Sequence, residues 1–150
     1  MTASIALEAP RVILIVEDQF LLAVALKDEL ELSGYRVLQI AARHSEAIDL
    51  AANDRPDLAL VNITLADGDD GVALAWDLKA IGIPVLFISG QPARATAARA
   101  VAIGSLPKPY SPDELVAAVD YLFQRGKPEA VSPSPPRLEL FYPTAPPADA

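Results

Sequence analysis

The stretch PDLALVN at residues 56–62 decides the fold, because an uninterrupted apolar run ends there in a polar residue, Asn62. A loop rich in glycine and aspartate, DGDDG at residues 67–71, follows four residues later. A continuous apolar run of four to eight residues is typical of a strand that is covered on both faces of a parallel sheet. Residues 58–61 are therefore predicted to form a buried strand with Asn62 at its carboxyl end.

Short apolar runs of this kind alternate with stretches of helical period along residues 11–125. Strands are predicted at 12–16, 35–41, 58–61, 84–88 and 105–106, and helices at 20–32, 45–52, 72–80 and 93–102. The sequence SPDE at 111–114 is a capping box with proline at the first helical position, and it opens a helix that runs to about residue 124. Five β-α units in this order predict right-handed crossovers and a parallel sheet with helices on both faces.

Composition limits the class of partner. The chain has 150 residues, a net charge of −8 and no cysteine. The acidic balance argues against a nucleic-acid partner, which would need a basic face. No apolar run reaches the roughly 20 residues of a membrane span, so we expect no membrane contact. The absence of cysteine suits a reducing compartment, and we expect a cytoplasmic protein.

The chain divides into three parts by composition: an N-terminal extension at 1–10, a folded domain at 11–125 and a proline-rich tail at 126–150. Residues 127–150 hold seven of the 14 prolines. The sequence RLELFY at 137–142 interrupts this tail with apolar side chains that alternate with Glu139 and Phe141. This alternation predicts an extended segment that docks by strand addition or in a groove. We expect it on the partner chain of a homodimer formed through the tail or the last helices, and docking on its own domain is the alternative.

Five residues are candidates for a functional site. Glu17 and Asp18 end the first strand, Asn62 the third and Ser89 the fourth, while Lys108 lies between two prolines near the end of the domain. Chemistry gathers at the carboxyl ends of strands in an open parallel sheet. Taken singly, each residue has an ordinary explanation, as a solvated strand end, a turn residue or an exposed loop lysine. Their joint order and spacing indicate a site.

This constellation of acid pair, strand-end acceptor, strand-end hydroxyl and Lys-Pro resembles the receiver domain of two-component response regulators, over residues 11 to about 125. The resemblance implies a flavodoxin-like (βα)5 fold with a doubly wound five-stranded parallel sheet of order 2-1-3-4-5. It implies that Glu17, Asp18 and the residue at position 62 hold Mg²⁺, and that Ser89 and Lys108 contact phosphoryl oxygens. It also implies a cis Lys108-Pro109 bond, a signalling rather than an enzymatic role, and a sensor histidine kinase or phosphotransfer protein as partner.

The chain departs from the family pattern at four points. Asn62 occupies the place of the aspartate that accepts the phosphoryl group, and an amide nitrogen has a delocalised lone pair that cannot attack phosphohistidine. Ala66 stands where the loop usually carries proline, and Ser105 stands where an aromatic residue is usual. The distance from Ser89 to Lys108 is short, which predicts a trimmed fourth helix. We expect Mg²⁺ binding to be weak or lost.

Three hypotheses follow from these departures. The first is a single-domain pseudo-receiver that acts in phosphorelay signalling by protein binding, without phosphorylation. The second is a phosphorylatable receiver whose acceptor aspartate was exchanged for Asn62 by engineering, or whose acceptor has moved to a nearby acid such as Asp67. The third is an aspartate-nucleophile phosphatase on a similar fold, which is the poorest because it needs an aspartate at the strand end. Phosphotransfer mapped to a residue separates the first two.

Overall fold

The computed structural model describes residues 9–124 and 134–141. Its strands are β1 (Val12–Val16), β2 (Arg36–Val37), β3 (Leu58–Asn62), β4 (Val85–Ser89), β5 (Gly104–Pro107) and β6 (Glu139–Leu140). Its helices are α1 (Phe20–Leu32), α2 (His44–Asn53), α3 (Gly71–Ala80), α4 (Pro92–Ala97) and α5 (Pro112–Gln124), with short 3-10 turns at Ala66–Gly68 and Arg99–Val101.

The strands form one sheet in the order β2-β1-β3-β4-β5-β6. The first five strands are parallel, and β6 is antiparallel to β5. All residues of β3 and β4 are buried, as expected for apolar runs that are covered on both faces. The predicted doubly wound flavodoxin-like sheet of order 2-1-3-4-5 is therefore confirmed, with a sixth strand added at its β5 edge.

Two apolar cores lie on opposite faces of the sheet. Helices α1 and α5 cover one face through Ala23, Leu26, Leu30, Leu115, Ala118 and Val119. Helices α2, α3 and α4 cover the other through Ala47, Ala51, Leu74, Leu78 and Ala95. The alternation of side chains along each strand supplies both cores from the same apolar runs. This arrangement leaves the carboxyl ends of the strands uncovered by helices, which is where the candidate residues lie.

The second strand is shorter than predicted. Residues 35–41 were expected to be extended throughout, but regular pairing covers only Arg36–Val37. Beyond it, the amides of Leu38 and Ala41 still donate to carbonyls of β1, and Ala41 forms an isolated bridge with Val16. An edge strand is held from one side, so these single hydrogen bonds align the chain without a regular ladder.

The fourth helix is short, as predicted from the distance between Ser89 and Lys108. The predicted helix at 93–102 is wrong in its extent, because α4 ends at Ala97 and a 3-10 turn, Arg99–Val101, completes the connection. Ala95 and Val101 are both buried in the core beneath this connection. The alanine-rich composition favours helix along the whole stretch, but the need to bury Val101 before β5 breaks it.

Residues 134–141, which we call the tail segment, dock on the sheet. Leu140 pairs with Gly104 and Glu139 pairs with Ser105, so the predicted strand addition is confirmed. The predicted position on a partner chain is wrong, because β6 pairs with β5 of its own chain. The edge of β5 presents unpaired backbone groups that an extended segment nearby in the same chain can satisfy. Tyr142, most of the predicted extension at 1–10 and most of the tail at 126–150 lie outside the described residues.

In the part of the chain that the structure describes, no helix combines the length and the apolar character needed to cross a bilayer.

Candidate functional site

Three strand ends and one loop bring the candidate residues together. Glu17 and Asp18 follow β1, Asn62 is the last residue of β3, and Lys108 follows β5. Parallel pairing sets Val16 beside Val61, so the acid pair and Asn62 leave the sheet at the same level. All three elements end at the carboxyl edge where the sheet changes its direction of winding, as expected for this fold.

The side-chain amide of Asn62 lies between the two acids. Its nitrogen Nδ2 donates to Glu17 Oε2 at 3.1 Å, to Asp18 Oδ1 at 3.3 Å and to the carbonyl oxygen of Thr64 at 2.8 Å. Asn62 is 9 % exposed, whereas Asp18 is open to solvent. The amide therefore acts as a hydrogen-bond donor toward the acid pair.

Glu17 is the most deeply placed charge of the site, with 2 % exposure. Its Oε1 accepts from Lys108 Nζ at 3.1 Å, and its Oε2 accepts from the backbone amide of Gln19 at 3.2 Å. Burial raises the pKa of the Glu17 carboxyl above its ordinary value of 4.5, and the hydrogen bonds from Gln19 and Lys108 oppose that rise. The two oxygens of Glu17 are thus both engaged by donors.

Lys108 is aimed into the site by its backbone. Its amide donates to the carbonyl oxygen of Ser89 at 2.8 Å, which ties the end of β5 to the end of β4. The Lys108-Pro109 bond is cis, as predicted. The ammonium group reaches Glu17 across the ends of β3 and β4.

Ser89 is buried at the wall of the site, and its hydroxyl oxygen accepts a hydrogen bond from the backbone nearby. Its Oγ accepts from the amide of Gln91 at 2.7 Å. Gln91 in turn donates through Nε2 to Thr64 Oγ1 at 3.1 Å, which links the loop after β4 to the loop after β3. Ser89 therefore stands beside Asn62 and Lys108 without a side-chain hydrogen bond to either among the described residues.

Three residues of the site were missed from the sequence: Thr64, Gln91 and Tyr110. The hydroxyl of Tyr110 is buried without a hydrogen-bond partner among the described residues. Burial, followed by the charge of Glu17, raises the pKa of the Tyr110 hydroxyl. The position of Tyr110 directly after Lys108-Pro109 could have indicated that it belongs to the site. The contact between Gln91 and Thr64 corresponds to no pattern in the sequence.

The loop after β3 is held against the strand end by a close backbone approach. A Cβ added at Gly71 would lie 2.1 Å from the carbonyl oxygen of Asn62, so glycine is required there. Asp70 caps α3 by accepting from the amide of Val72 at 2.9 Å. Asp67 lies in the left-handed region with φ of 60° and pairs with Arg43 at 3.3 Å.

The donor set does not fit a magnesium ion as these side chains lie. Mg²⁺ requires oxygen ligands in near-octahedral geometry. Here an NH₂ group enters between the two carboxylates and an ammonium group occupies the other oxygen of Glu17. Among the described residues, no group of three or more acidic, histidine or cysteine side chains is placed to hold a metal ion. Internal donors take the place that a cation would fill.

Comparison with known proteins defines the class. The response regulator receiver domain family matches residues 13–120. The phyllosphere-induced regulator PhyR of Methylorubrum extorquens is 36 % identical over 110 residues, which cover 71 % of this chain and 41 % of PhyR. The response regulator MprA of Mycobacterium tuberculosis is 34 % identical over 127 residues, which cover 81 % of this chain and 54 % of MprA. The chain thus spans about half the length of these relatives.

Solved structures agree with this match. The response regulator PhyR from Brucella abortus superimposes with a TM-score of 0.63 at 31 % identity, covering 75 % of this chain and 47 % of that one. A response regulator receiver domain protein (CheY-like) from Methanospirillum hungatei gives a TM-score of 0.68 at 26 % identity, covering 77 % and 94 %. The chain belongs to the response regulator receiver domain family, whose members are signalling modules of two-component systems.

Proposed function

We propose that this chain is a pseudo-receiver, which acts in two-component phosphorelay signalling by binding other proteins and not by accepting a phosphoryl group. The observation that carries the proposal is the contact of Asn62 Nδ2 with Glu17 and Asp18. A phosphoryl acceptor at this position needs a carboxylate oxygen with a free lone pair. The amide nitrogen instead donates hydrogen bonds to Glu17 and Asp18, the acids that would otherwise hold the metal.

The charges of the site support the same conclusion. Two carboxylates face one ammonium group and one neutral amide, so Lys108 provides a positive charge to Glu17 and Asn62 provides a hydrogen-bond donor to both acids. A site satisfied in this way needs neither metal nor phosphate to hold its shape. The proposal therefore assigns the chain no enzymatic step, and Mg²⁺ binding that is weak or lost.

A surface for the proposed partner lies beside the site. Phe20 and Leu21, in the first turn of α1, are 68 % and 82 % exposed and directly follow the loop that carries Asp18. Large apolar side chains that are adjacent and exposed mark protein contact sites more often than single ones do. The family resemblance favours a sensor histidine kinase or phosphotransfer protein on this surface. PhyR, described as a stress response regulator, supports a regulatory role in general terms.

Phosphotransfer tests the proposal. The unaltered chain and the Asn62→Asp variant are incubated with acetyl phosphate and Mg²⁺, and the intact masses are measured at neutral pH. We expect phosphate on Asn62→Asp alone. Asn53→Asp, which adds the same carboxylate at the exposed end of α2, is the matched control and should remain unmodified.

The outcome also tests the alternative of a displaced acceptor. Phosphate on the unaltered chain would refute the proposal, and mapping it to Asp67 would favour a receiver with a displaced acceptor. The pair of Asp67 with Arg43 opposes that alternative. A phosphorylated Asn62→Asp variant would show that Lys108 and Ser89 still support transfer, which is what the hypothesis of an exchanged acceptor aspartate requires.

Magnesium binding is tested separately by thermal melts of the same two chains. Asn62→Asp exchanges the donating NH₂ group for a carboxylate, and a unit charge pair at about 4 Å is worth about 4 kcal/mol at an effective dielectric of about 20. We expect Mg²⁺ to raise the melting temperature of Asn62→Asp and to have a much smaller effect on the unaltered chain. Equal shifts would refute the expected loss of metal affinity.

A further inference from the structure

A cavity lies at the edge of the sheet opposite to the candidate site. It has a volume of about 450 Å³, and it is lined by residues that lead into β4 and β5, by the end of α3, and by the turn at Arg99–Val101. Phe141 of the tail segment closes one side of it. Pockets that hold small molecules measure about 300–1,000 Å³. This cavity, which we call the basal cavity, is therefore large enough for a ligand.

The tail segment builds one wall of the basal cavity. The amide of Phe141 donates to the carbonyl oxygen of Ile103 at 3.2 Å, beside the pairing of Leu140 with Gly104. Both Phe141 and Ile103 are half-buried, so part of their apolar surface remains open. The floor beneath them consists of buried core side chains, Ile83, Val85 and Val101. The basal cavity in this form therefore requires a docked tail segment.

The charged residues that line the basal cavity are both basic. Lys79 and Arg99 are exposed, and Lys79 Nζ donates to the carbonyl oxygen of Ala100 at 2.8 Å. An ammonium group has three donors, so two of them remain for a ligand. Among the described residues, neither cation forms an ion pair and no acidic side chain lines the cavity. In a chain with a net charge of −8, this local positive charge favours an anionic ligand.

A backbone donor belongs to the same cavity. Ala102 is one of its lining residues and is 9 % exposed, and the amide of Ala102 has no acceptor among the described residues. Most buried amides in proteins are paired, because an unpaired one costs free energy. An oxygen atom of a bound ligand would supply the missing acceptor.

The combination of basic and apolar lining selects the class of ligand. An exposed ion pair contributes little by itself, so the two cations would hold a simple inorganic anion only weakly. A ligand that also covers Ile103 and Phe141 gains from the burial of apolar surface. We propose that the basal cavity binds a small organic anion, with its carboxylate or phosphate group at Lys79 and Arg99 and its apolar body on Ile103 and Phe141.

This binding site goes beyond the proposed function, because it lies at the amino ends of β4 and β5 and needs nothing from Asn62. A ligand in the basal cavity also stabilises the docked tail segment, since Phe141 forms part of the cavity and a ligand favours the state to which it binds. The concentration of the anion would thus control how firmly the tail segment is held.

Titration of the full chain, labelled with ¹⁵N, tests the proposal by NMR. Hexanoate and hexyl phosphate are the probes, acetate supplies the carboxylate alone and hexanol the apolar body alone. We expect saturable shifts of the Ala102, Ile103 and Phe141 amides with at least one probe, and affinity at least tenfold higher than for acetate or hexanol. The tighter of the two probes identifies the anionic group. The absence of saturable shifts, or hexanol binding as tightly as both anions, would overturn the proposal.

Two further readouts follow the same titration. Trp76 is the only tryptophan, and Lys79 Nζ lies 5.9 Å from the centre of its ring, so the fluorescence of Trp76 should change as the anion binds Lys79. Hydrogen exchange of the Phe141 amide should slow at saturation. Unchanged exchange at Phe141 would contradict the position of the ligand against the tail segment.

Charge variants identify the cations. Arg99→Gln and Lys79→Gln should each weaken the preferred probe about tenfold, and both changes are at exposed positions. Arg99→Glu should bind hexylamine, a cation with the same apolar body, in preference to hexanoate. Lys27→Gln removes a positive charge from α1 that does not line the cavity, and it is the matched control. An equal loss of affinity with Lys27→Gln would refute a specific site.

Other occupants of the basal cavity give different results. Tyr142→Ala and Asp149→Asn, made separately in the full chain, test the residues that follow Phe141. A probe affinity at least tenfold higher in either variant would assign the cavity to those residues and refute the small anion. Sedimentation tests a second copy of the chain, because self-association that Arg99→Gln abolishes would assign the cavity to that copy and would also refute the proposal.

Discussion

The amide nitrogen of Asn62 occupies the space between two carboxylates, and it is held there by three acceptors. A carboxylate at the same position would accept where the amide donates. It would leave Glu17 without one of its donors, and it would place a third negative charge beside Asp18. The chemistry of the site and the stability of the domain are consequently set by the same atom.

Asn62→Asp should lower the free energy of unfolding in the absence of metal. We expect a loss of about 1–3 kcal/mol at neutral pH, because a buried hydrogen bond to charged groups is removed and like charges are brought together. Urea unfolding of both chains in EDTA measures it. Asn53→Asp, at the exposed end of α2, controls for the added charge and should cost less. Equal stability of Asn62→Asp and the unaltered chain would contradict the geometry.

Glu17 gives the site a pH dependence of predictable sign. Burial raises the pKa of Glu17 on folding. Above this raised pKa, the folded state carries the free-energy cost of a buried carboxylate. This cost disappears as the pH falls from the raised pKa to the ordinary value of 4.5. Glu17→Gln mimics the protonated form. The free energy of unfolding of Glu17→Gln should therefore exceed that of the unaltered chain most at neutral pH, and the difference should shrink as the pH falls toward 4.5.

Urea unfolding at a series of pH values measures this difference for Glu17→Gln. Glu31→Gln, which removes an exposed carboxylate from α1, is the control for the loss of one charge. If the stability advantage of Glu17→Gln grew as the pH fell, the attraction between Glu17 and Lys108 would outweigh the cost of burying the Glu17 carboxylate.

At this scale the sequence predicted the site residues but not all of their contacts. Glu17, Asp18, Asn62 and Lys108 meet because strand ends converge, which hydrophobic pattern alone can indicate. The amide nitrogen of Asn62 donates hydrogen bonds to the acids, and its oxygen is not turned toward them as a metal ligand would be. This side-chain orientation cannot be predicted from the spacing of residues in the sequence. The hydroxyl of Tyr110, which has no hydrogen-bond partner among the described residues, depends on how the ring packs against the core that α1 and α5 cover, and it could not be predicted either.

At the scale of elements, a close contact fixes β3 against α3. Gly71 begins α3 directly over the carbonyl oxygen of Asn62, and a Cβ there would also lie 2.8 Å from Ile63 Cα. Both neighbours are backbone atoms that cannot turn aside. The position of α3 and the position of the backbone at the end of β3 are consequently coupled.

Gly71→Ala should lower the free energy of unfolding by about 1–3 kcal/mol, in the range of other overpacking changes. Gly90→Ala is a matched control, because a Cβ at Gly90 meets nothing within 4 Å and its φ is not positive. We expect the control to leave stability unchanged or to raise it by about 0.4–1 kcal/mol. Urea unfolding measures both, and equal effects would show that α3 can move away from β3 at little cost.

The elements themselves were predictable where apolar runs are buried on both faces, as in β1, β3 and β4. Prediction was less exact at the edges. Residues 38–41 have the composition of a strand, but they lie at an edge where one neighbour supplies only isolated hydrogen bonds. The alanine-rich stretch that became α4 was predicted too long, since helix propensity carries no information about the core position of Val101.

At the scale of the whole molecule, the tail segment completes the sheet. Its alternating apolar residues predicted strand addition, but sequence could not decide which chain would receive it, because the contacts are the same in either case. The described structure places it on its own β5, with Thr96 Oγ1 donating to Glu139 Oε1 at 3.2 Å. A homodimer through the last helices stays a prediction, and light scattering of the full chain tests it.

The contribution of the tail segment can be measured by comparing two truncated chains, one ending at Gln124 and the other at Phe141. The longer chain should be more stable, because burying Leu138 alone is worth about 1.5–3 kcal/mol and the β6 hydrogen bonds add to it. It should also show the larger dependence of unfolding free energy on urea, since more surface is exposed when it unfolds.

Sedimentation of the same two chains tests the edge of β5. The chain ending at Gln124 lacks β6, so Gly104 and Ser105 lose their outer strand, and we expect concentration-dependent association that the chain ending at Phe141 does not show. Gly104→Lys in the shorter chain places a charge at the exposed edge, and it should suppress the association. Equal stability and equal sedimentation of the two truncated chains would mean that β6 contributes nothing to holding the sheet together.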